Sequence, residues 1–302
     1  MRLPSRRTKK VRSPNSPELD RPQTRGFHGA MKIIPLIEDY CPGRGLRGEH
    51  GLAMYIETAR AKILFDAGQT DAFIANARQL GVDLGGVDAV FLSHGHYDHS
   101  GGIAALYASI APAKPPLYAG TGYSIPKFGR GDSGLTANGI PDSARPPNSP
   151  PAIQVGTRVE ILPGVHALPH VERTDGSVPA PRFRLVEGGV ERLDGFDDEV
   201  SLVFDEPDGL VVVTGCAHRG IVNIVESARK AYPGKPVAAV VGGFHLVDAP
   251  EDAINTVADA MVQIDPVRIL CGHCTGPRAY AALMARLPGR VAWLACGQKF
   301  QL

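Results

Sequence analysis

The stretch FLSHGHYDHSGG, residues 91–102, places His94, His96, Asp98 and His99 within six positions, directly behind the apolar run VDAVFL. In an extended segment, side chains two apart project to the same side, so His94 and His96 can converge on one ion. Gly95 keeps bulk from between them. Asp98 and His99 fall where the chain turns toward the next helix, and from there they can aim at a second ion. Neutral imidazole and carboxylate suit zinc, iron or manganese. One histidine in a polar loop is ordinarily just solvated; four ligand-type residues behind a buried strand point to metal.

The surrounding elements must hold these groups at one rim. MKIIPLI from Met31 reads as a strand, with Pro35 at an edge position. LAMYIET and AKILFDAG pair as a hairpin, and DAFIANARQLG is an amphipathic helix with Phe73, Ile74, Ala77 and Leu80 at helical spacing and Gly81 as its stop. VDAVFLS is a buried strand and GGIAALYASI a helix. EVSLVFDE and GLVVVTG form a second hairpin around the turn PDG. Regular alternation follows, with helices GIVNIVESARKAY, EDAINTVADAMVQI and RAYAALMARL between strands PVAAVVGG, VRILCG and VAWLAC. Both halves are thus a hairpin followed by strand–helix units, the pattern of two sheets face to face with helices outside. Residues 120–198 break the rhythm. Their Gly/Pro/Ser-rich start predicts a lid, a binding loop or partial disorder, with strands resuming at RVEILPGVHAL and RFRLVE.

SHGHYDHSGG matches the signature of the metallo-β-lactamase superfamily. Within it the chain resembles the branch of metal-dependent hydrolases related to the β-ribofuranosylaminobenzene 5′-phosphate (methanopterin-pathway) synthases. That closer likeness rests on EHGLAMYIE, ILFDAGQTDAFIANARQLGVDL, SHGHYDHSGGI, TGCAHRGIVNIVE, GGFHL and CGHCTG, which span nearly everything from Met31 to Gly276 except the insertion. The resemblance implies an α/β (α+β) fold, the four-layer αββα sandwich, with metals at one edge between the sheets. It implies that His94 and His96 hold one metal and that Asp98 and His99 begin the second site.

Distant residues must complete both sites. His218 follows LVVVTG, His245 follows VAAVVGG and His273 follows VRIL, each repeating the order of apolar strand, glycine and polar group. His218 is the preferred third ligand of the first metal, with His170, near His166, in reserve; His273 is the preferred last ligand of the second. His245 is a metal ligand, a proton donor to the leaving group or a substrate contact. Cys216 is a thiolate ligand or a small buried packing residue. The Cys271–His273–Cys274 cluster lacks the further ligands of a separate zinc site. His50 lines the pocket or is a turn histidine. Lys127 and Arg130, in the Gly-flanked PKFGRGDSG, are candidates to clamp a substrate phosphate or carboxylate. Two divalent cations, zinc first with manganese or iron as alternatives, would activate a water that Asp98 orients.

Composition sets the remaining bounds. Net charge is +1 and hydrophobic content 43%, so neither nucleic acid nor membrane is an expected partner. A small-molecule substrate is expected, and a homodimer is compatible with the chain. Charge is uneven: residues 1–30 hold eight Lys or Arg against Glu18 and Asp20. This Pro/Ser-rich basic tail is expected to be disordered, with 31–302 forming a single domain. Arg6–Arg7 lacks the apolar segment of an export signal, and five cysteines, an odd number, suit a reducing cytoplasm. The leading expectation is a hydrolase of an ester, lactone or phosphoester, including a phosphorylated pterin- or ribose-like molecule. Alternatives are an iron-dependent oxidoreductase, a synthase or transferase, and a non-catalytic binding protein.

Overall fold

A computed structural model describes residues 31–302; the basic tail, expected to be disordered, lies outside the described residues. Strands β1 (Lys32–Ile37), β2 (Ala53–Glu57) and β3 (Lys62–Phe65) lead to α1 (Ala72–Leu80), β4 (Ala89–Leu92), the one-turn helix α2 (Tyr97–Ser100), α3 (Ile103–Ser109) and β5 (Leu117–Gly120). Seven short strands follow: β6 (Lys127–Gly131), β7 (Gly134–Ala137), β8 (Ile153–Val155), β9 (Val159–Leu162), β10 (Val165–Pro169), β11 (Phe183–Glu187) and β12 (Val190–Leu193). The second half runs β13 (Val200–Glu206), β14 (Gly209–Val213), α4 (Ile221–Ala231), β15 (Val237–Gly243), α5 (Glu251–Ile264), β16 (Arg268–Gly272), α6 (Gly276–Arg286), β17 (Val291–Trp293) and β18 (Phe300–Gln301).

Two seven-stranded sheets form, ordered β18-β1-β2-β3-β4-β5-β8 and β17-β16-β15-β14-β13-β10-β9. The two expected hairpins are present: Met54 pairs with Phe65 in one, and Leu202 with Val213 in the other. Alternation along the strands shows why the layers stack. Met54 and Ile56 of β2, Leu202 and Phe204 of β13, and Val211 and Val213 of β14 meet in one core between the sheets. Their neighbours Ala53 and Tyr55 turn outward to Phe73, Ile74 and Ala77 of α1, while Val203, Leu210 and Val212 turn to α4 and α5. Strands buried on both faces read as continuous apolar runs, and the four layers are helix, sheet, sheet, helix. Gly81 closes α1 in the left-handed region at φ 71°. β18 covers only Lys32 and Ile33 of β1; Pro35 stands beyond its end, where its carbonyl accepts from the Gly297 amide at 2.8 Å.

The insertion is built of ordered strands rather than a disordered loop. β6, β7, β11 and β12 make a third, four-stranded sheet, β8 extends the first large sheet, and β9 and β10 extend the second. Its glycines punctuate short strands: Gly188 and Gly189, both at positive φ, form the tight turn between β11 and β12. Small strands separated by such turns read from sequence as a loop.

Candidate metal centre

The site lies where β4, β14, β15 and β16 end, the carboxyl edge at which open α/β sheets gather their ligands. The backbone there is strained: Asp66, Phe196, Ala217, His245 and His273 all have φ between 50° and 59° or just below. Each such non-glycine residue costs about 1–3 kcal/mol. Fully buried Phe65, Phe91 and Phe204, at roughly 2 kcal/mol apiece, belong to the core that offsets this.

His94 and His96 sit on a bend after β4, their ring centroids 4.6 Å apart. Gly95 is required on the other side of the chain from that expected. A Cβ there would lie 1.9 Å from the carbonyl oxygen of Tyr123, so glycine admits the insertion's backbone rather than separating the imidazoles. Asp98 and His99 lie on α2, a helical turn that swings them past the bend.

Two groups of side chains result. Ligand atoms of His94, His96 and His218 all lie within 4.8 Å of one another. Asp98 Oδ2 lies 3.7 Å from His99 Nε2 and 3.4 Å from His273 Nε2. Between them stands Cys216, with Sγ 3.2 Å from His99 Nε2; it also falls within 4.8 Å of groupings that contain His94, His218 or His273. Cys274, left without a role by the sequence reading, joins it: its thiol donates to the Cys216 carbonyl at 3.5 Å.

The fit to cations follows from the nitrogens. The Nε2 atoms of His94, His96, His218 and His273 are buried without a hydrogen-bond partner, an arrangement costly unless something else binds them. His94 and His273, and with them His99, are held from behind. Ser93 Oγ lies 3.0 Å from His94 Nδ1, Asp66 Oδ2 lies 2.7 Å from His99 Nδ1, and Asp39 Oδ1 lies 2.6 Å from His273 Nδ1. Anchoring one ring nitrogen sets the tautomer and aims the other inward, as metal ligands require.

Burial lowers the pKa of His94 and His218 well below the ordinary histidine value and that of His96 to about 3, so these three rings are neutral donors. At His273 burial acts the same way, but Asp39 and Asp98 outweigh it and hold the pKa high; a cation must displace that proton. Burial opposes ionisation of Asp98, yet His99 and His273 keep it in the carboxylate form. Burial raises the Cys216 thiol, and a metal would reverse that.

Other candidates fall elsewhere. His170 is exposed beyond β10 at φ 53°, and His166 packs its ring 5.4 Å from that of Tyr232. His50 is half-exposed, with Nδ1 2.8 Å from Asp39 and Nε2 3.4 Å from Asp98, so it borders the second group. Lys127 is not a solvent-facing clamp. It is 2% exposed, with Nζ donating to Asp194 at 2.7 Å and to Asp198 at 2.9 Å. Arg130 pairs with Glu191 on the small sheet. Both cations are occupied inside the insertion, which is ordered sheet rather than open loop.

His245 has a buried, unpartnered Nδ1, and its ring lies 4.2 Å from that of His218. Beside both opens a cavity of about 700 Å³ lined by Arg173, Arg182, Phe183, Phe196, Leu246 and Val247 among others. The sequence reading passed over Asp66, Asp39 and Glu199. Asp66 follows a buried strand in ILFDAG, which is a signal; Glu199, accepting from the amides of His218 and Arg219 at 2.7 and 2.8 Å, carries none.

An αββα sandwich with histidines, an aspartate and a thiol converging at one sheet edge defines a metal-centre fold. The chain belongs to the metallo-beta-lactamase superfamily. The sequence model of that superfamily matches residues 46–181. A crystal structure of Tm1679, described as a metal-dependent hydrolase of the beta-lactamase superfamily, is 30% identical, covers 90% of this chain and 99% of its own, and superposes with a TM-score of 0.80. The 7,8-dihydropterin-6-methyl-4-(beta-D-ribofuranosyl)-aminobenzene-5′-phosphate synthase of Methanocaldococcus jannaschii is 29% identical over 266 residues, 82% of this chain and 89% of that one. YhfI of Bacillus subtilis, 12% identical with a TM-score of 0.55 over 90% of this chain and 99% of its own, shares the fold.

Proposed function

We propose that this protein is a metal-dependent hydrolase with a binuclear site acting on an ester, lactone or phosphoester of a small molecule. The observation that carries the reading is the set of buried, unpartnered Nε2 atoms facing one another around Asp98 and Cys216. His94, His96 and His218 would hold one divalent cation, and Asp98, His99 and His273 the other, with Cys216 between. Zinc suits imidazole, carboxylate and thiolate together; manganese and iron are the alternatives. Divalent cations held there would supply Lewis acidity and would acidify water.

The chain's own groups do the rest. Asp98, a carboxylate at the junction, accepts a proton and orients the nucleophile. His245 lines the cavity beside His218 and is placed to pass a proton to the leaving group. Phe183 and Phe196 give the cavity an apolar wall beside the histidines. The Methanocaldococcus relative favours a phosphorylated pterin- or ribose-like substrate, and its name makes transfer, rather than hydrolysis, the second reading. No helix among the described residues is long and apolar enough to cross a membrane. All five cysteines are unpaired, which supports a reducing, cytoplasmic setting.

Metal analysis of the purified chain, followed by chelator dialysis and a screen of phosphoesters, lactones and esters, tests the proposal. Activity lost on dialysis and restored by zinc, manganese or iron is expected. Full activity in the stripped protein would refute it.

A further inference from the structure

Lys127 belongs to β6 of the small sheet, yet its ammonium is buried between two carboxylates that flank the way back to the main fold. Nζ donates to Asp194 Oδ2 at 2.7 Å and to Asp198 Oδ1 at 2.9 Å. The second oxygen of Asp198 accepts from the amide of Gly95 at 2.8 Å, in the peptide group that links His94 to Gly95. The same ammonium lies 5.3 Å from the Phe196 ring centroid, and Phe196 stacks on His218 at 3.8 Å and 8°. One cation thus reaches His218 through Phe196, and the bend that carries His94 and His96 through Asp198 and the Gly95 amide. The insertion grips the same bend by backbone: Tyr97 N donates to Asn138 O at 3.0 Å, and His96 pairs with Gly139 as an isolated bridge.

We propose that Lys127 is a positioning residue: through Asp198 and Phe196, the inserted sheet sets the His94–Gly95–His96 bend and the His218 ring for cation binding. This rests on the metal-centre reading above. A buried ion cluster that merely tied the small sheet to the domain would need neither the Gly95 amide nor the Phe196–His218 stack. Removing the ammonium leaves Asp194 and Asp198 facing each other without a counter-ion. The two carboxylates then repel each other, and the hold of Asp198 on the Gly95 amide loosens. Groups that orient ligands in this way typically govern metal affinity by ten- to a hundredfold.

The full chain, stripped with chelator, is titrated with cobalt(II) and followed by visible absorption and by competition with a chromophoric chelator. Lys127→Met and Asp198→Asn are compared with Ile56→Ala, a truncation in the core between the sheets. The first two should weaken the first cobalt by about tenfold or more and alter its ligand-field spectrum. Ile56→Ala should lower thermal stability while leaving affinity and spectrum unchanged. Cobalt bound by Lys127→Met as in the wild type, or weakened equally by Ile56→Ala, overturns the inference. If Lys127→Met does not fold, Asp198→Asn alone decides. A wild-type chain that takes up no cobalt overturns the metal-centre reading, and the inference with it.

Discussion

Asp66 Oδ2 lies 2.7 Å from Nδ1 of His99, and neither side chain reaches solvent. The same carboxylate accepts from the Ser93 hydroxyl at 2.8 Å and, through Oδ1, from the Ser93 amide at 2.7 Å. Ser93 in turn touches His94, so one buried aspartate orients a ring in each histidine group.

Asp66→Asn keeps the size and loses the charge and one acceptor. Metal affinity is expected to fall about ten- to a hundredfold, read by chelator competition, with the far-UV circular dichroism unchanged. Unaltered affinity would remove Asp66 from the site.

Gly95→Ala forces a methyl against the backbone carbonyl of Tyr123. Neither partner is a flexible side chain, so the loss should reach the upper part of the ~1–3 kcal/mol range for overpacking. Urea unfolding should show a lower midpoint at constant slope. An unchanged midpoint would mean the bend can move freely.

Cations that bind only the folded chain must stabilise it. With free zinc at about a hundred times its dissociation constant, the gain is ~2.7 kcal/mol. Excess chelator should remove that increment in a thermal or urea melt. Identical curves with and without zinc would count against both cation sites.

Cys216 touches more of the prospective ligands than Cys274 does. The cobalt(II) protein should therefore show a thiolate charge-transfer band in the near ultraviolet that Cys216→Ser abolishes and Cys274→Ser retains. The opposite pattern would exchange the roles of the two thiols.

His245→Gln should keep the full metal content and cut kcat about a hundredfold, the lower bound for loss of a general acid. A drop in metal content with the activity would make His245 a ligand instead.

The layers of the fold were legible because their signals are local. Met54 and Ile56 against Ala53 and Tyr55 alternate at period two, and α1 shows its stripe and its terminal glycine in eleven residues. The insertion was not legible in the same way. Strands of four or five residues between glycine turns carry too little periodicity, and their partners lie far off: β6 pairs with β11 across some fifty positions. Lys127 was misread for that reason. A lysine between glycines looks solvated until Asp194 and Asp198 are folded around it.

What the sequence determined by itself is the His94–His96–Asp98–His99 run, since spacing along six residues dictates which side chains can share a direction. It also placed His218, His245 and His273 at strand ends. Only the tertiary structure decided that His218 rather than His170 meets His94 and His96, that Cys216 stands between the two groups, and that Asp39, Asp66 and Asp198 hold the site from behind. Those relations join residues that are tens to hundreds of positions apart, and the packing of two sheets, not the spacing of neighbours, brings them within hydrogen-bond reach.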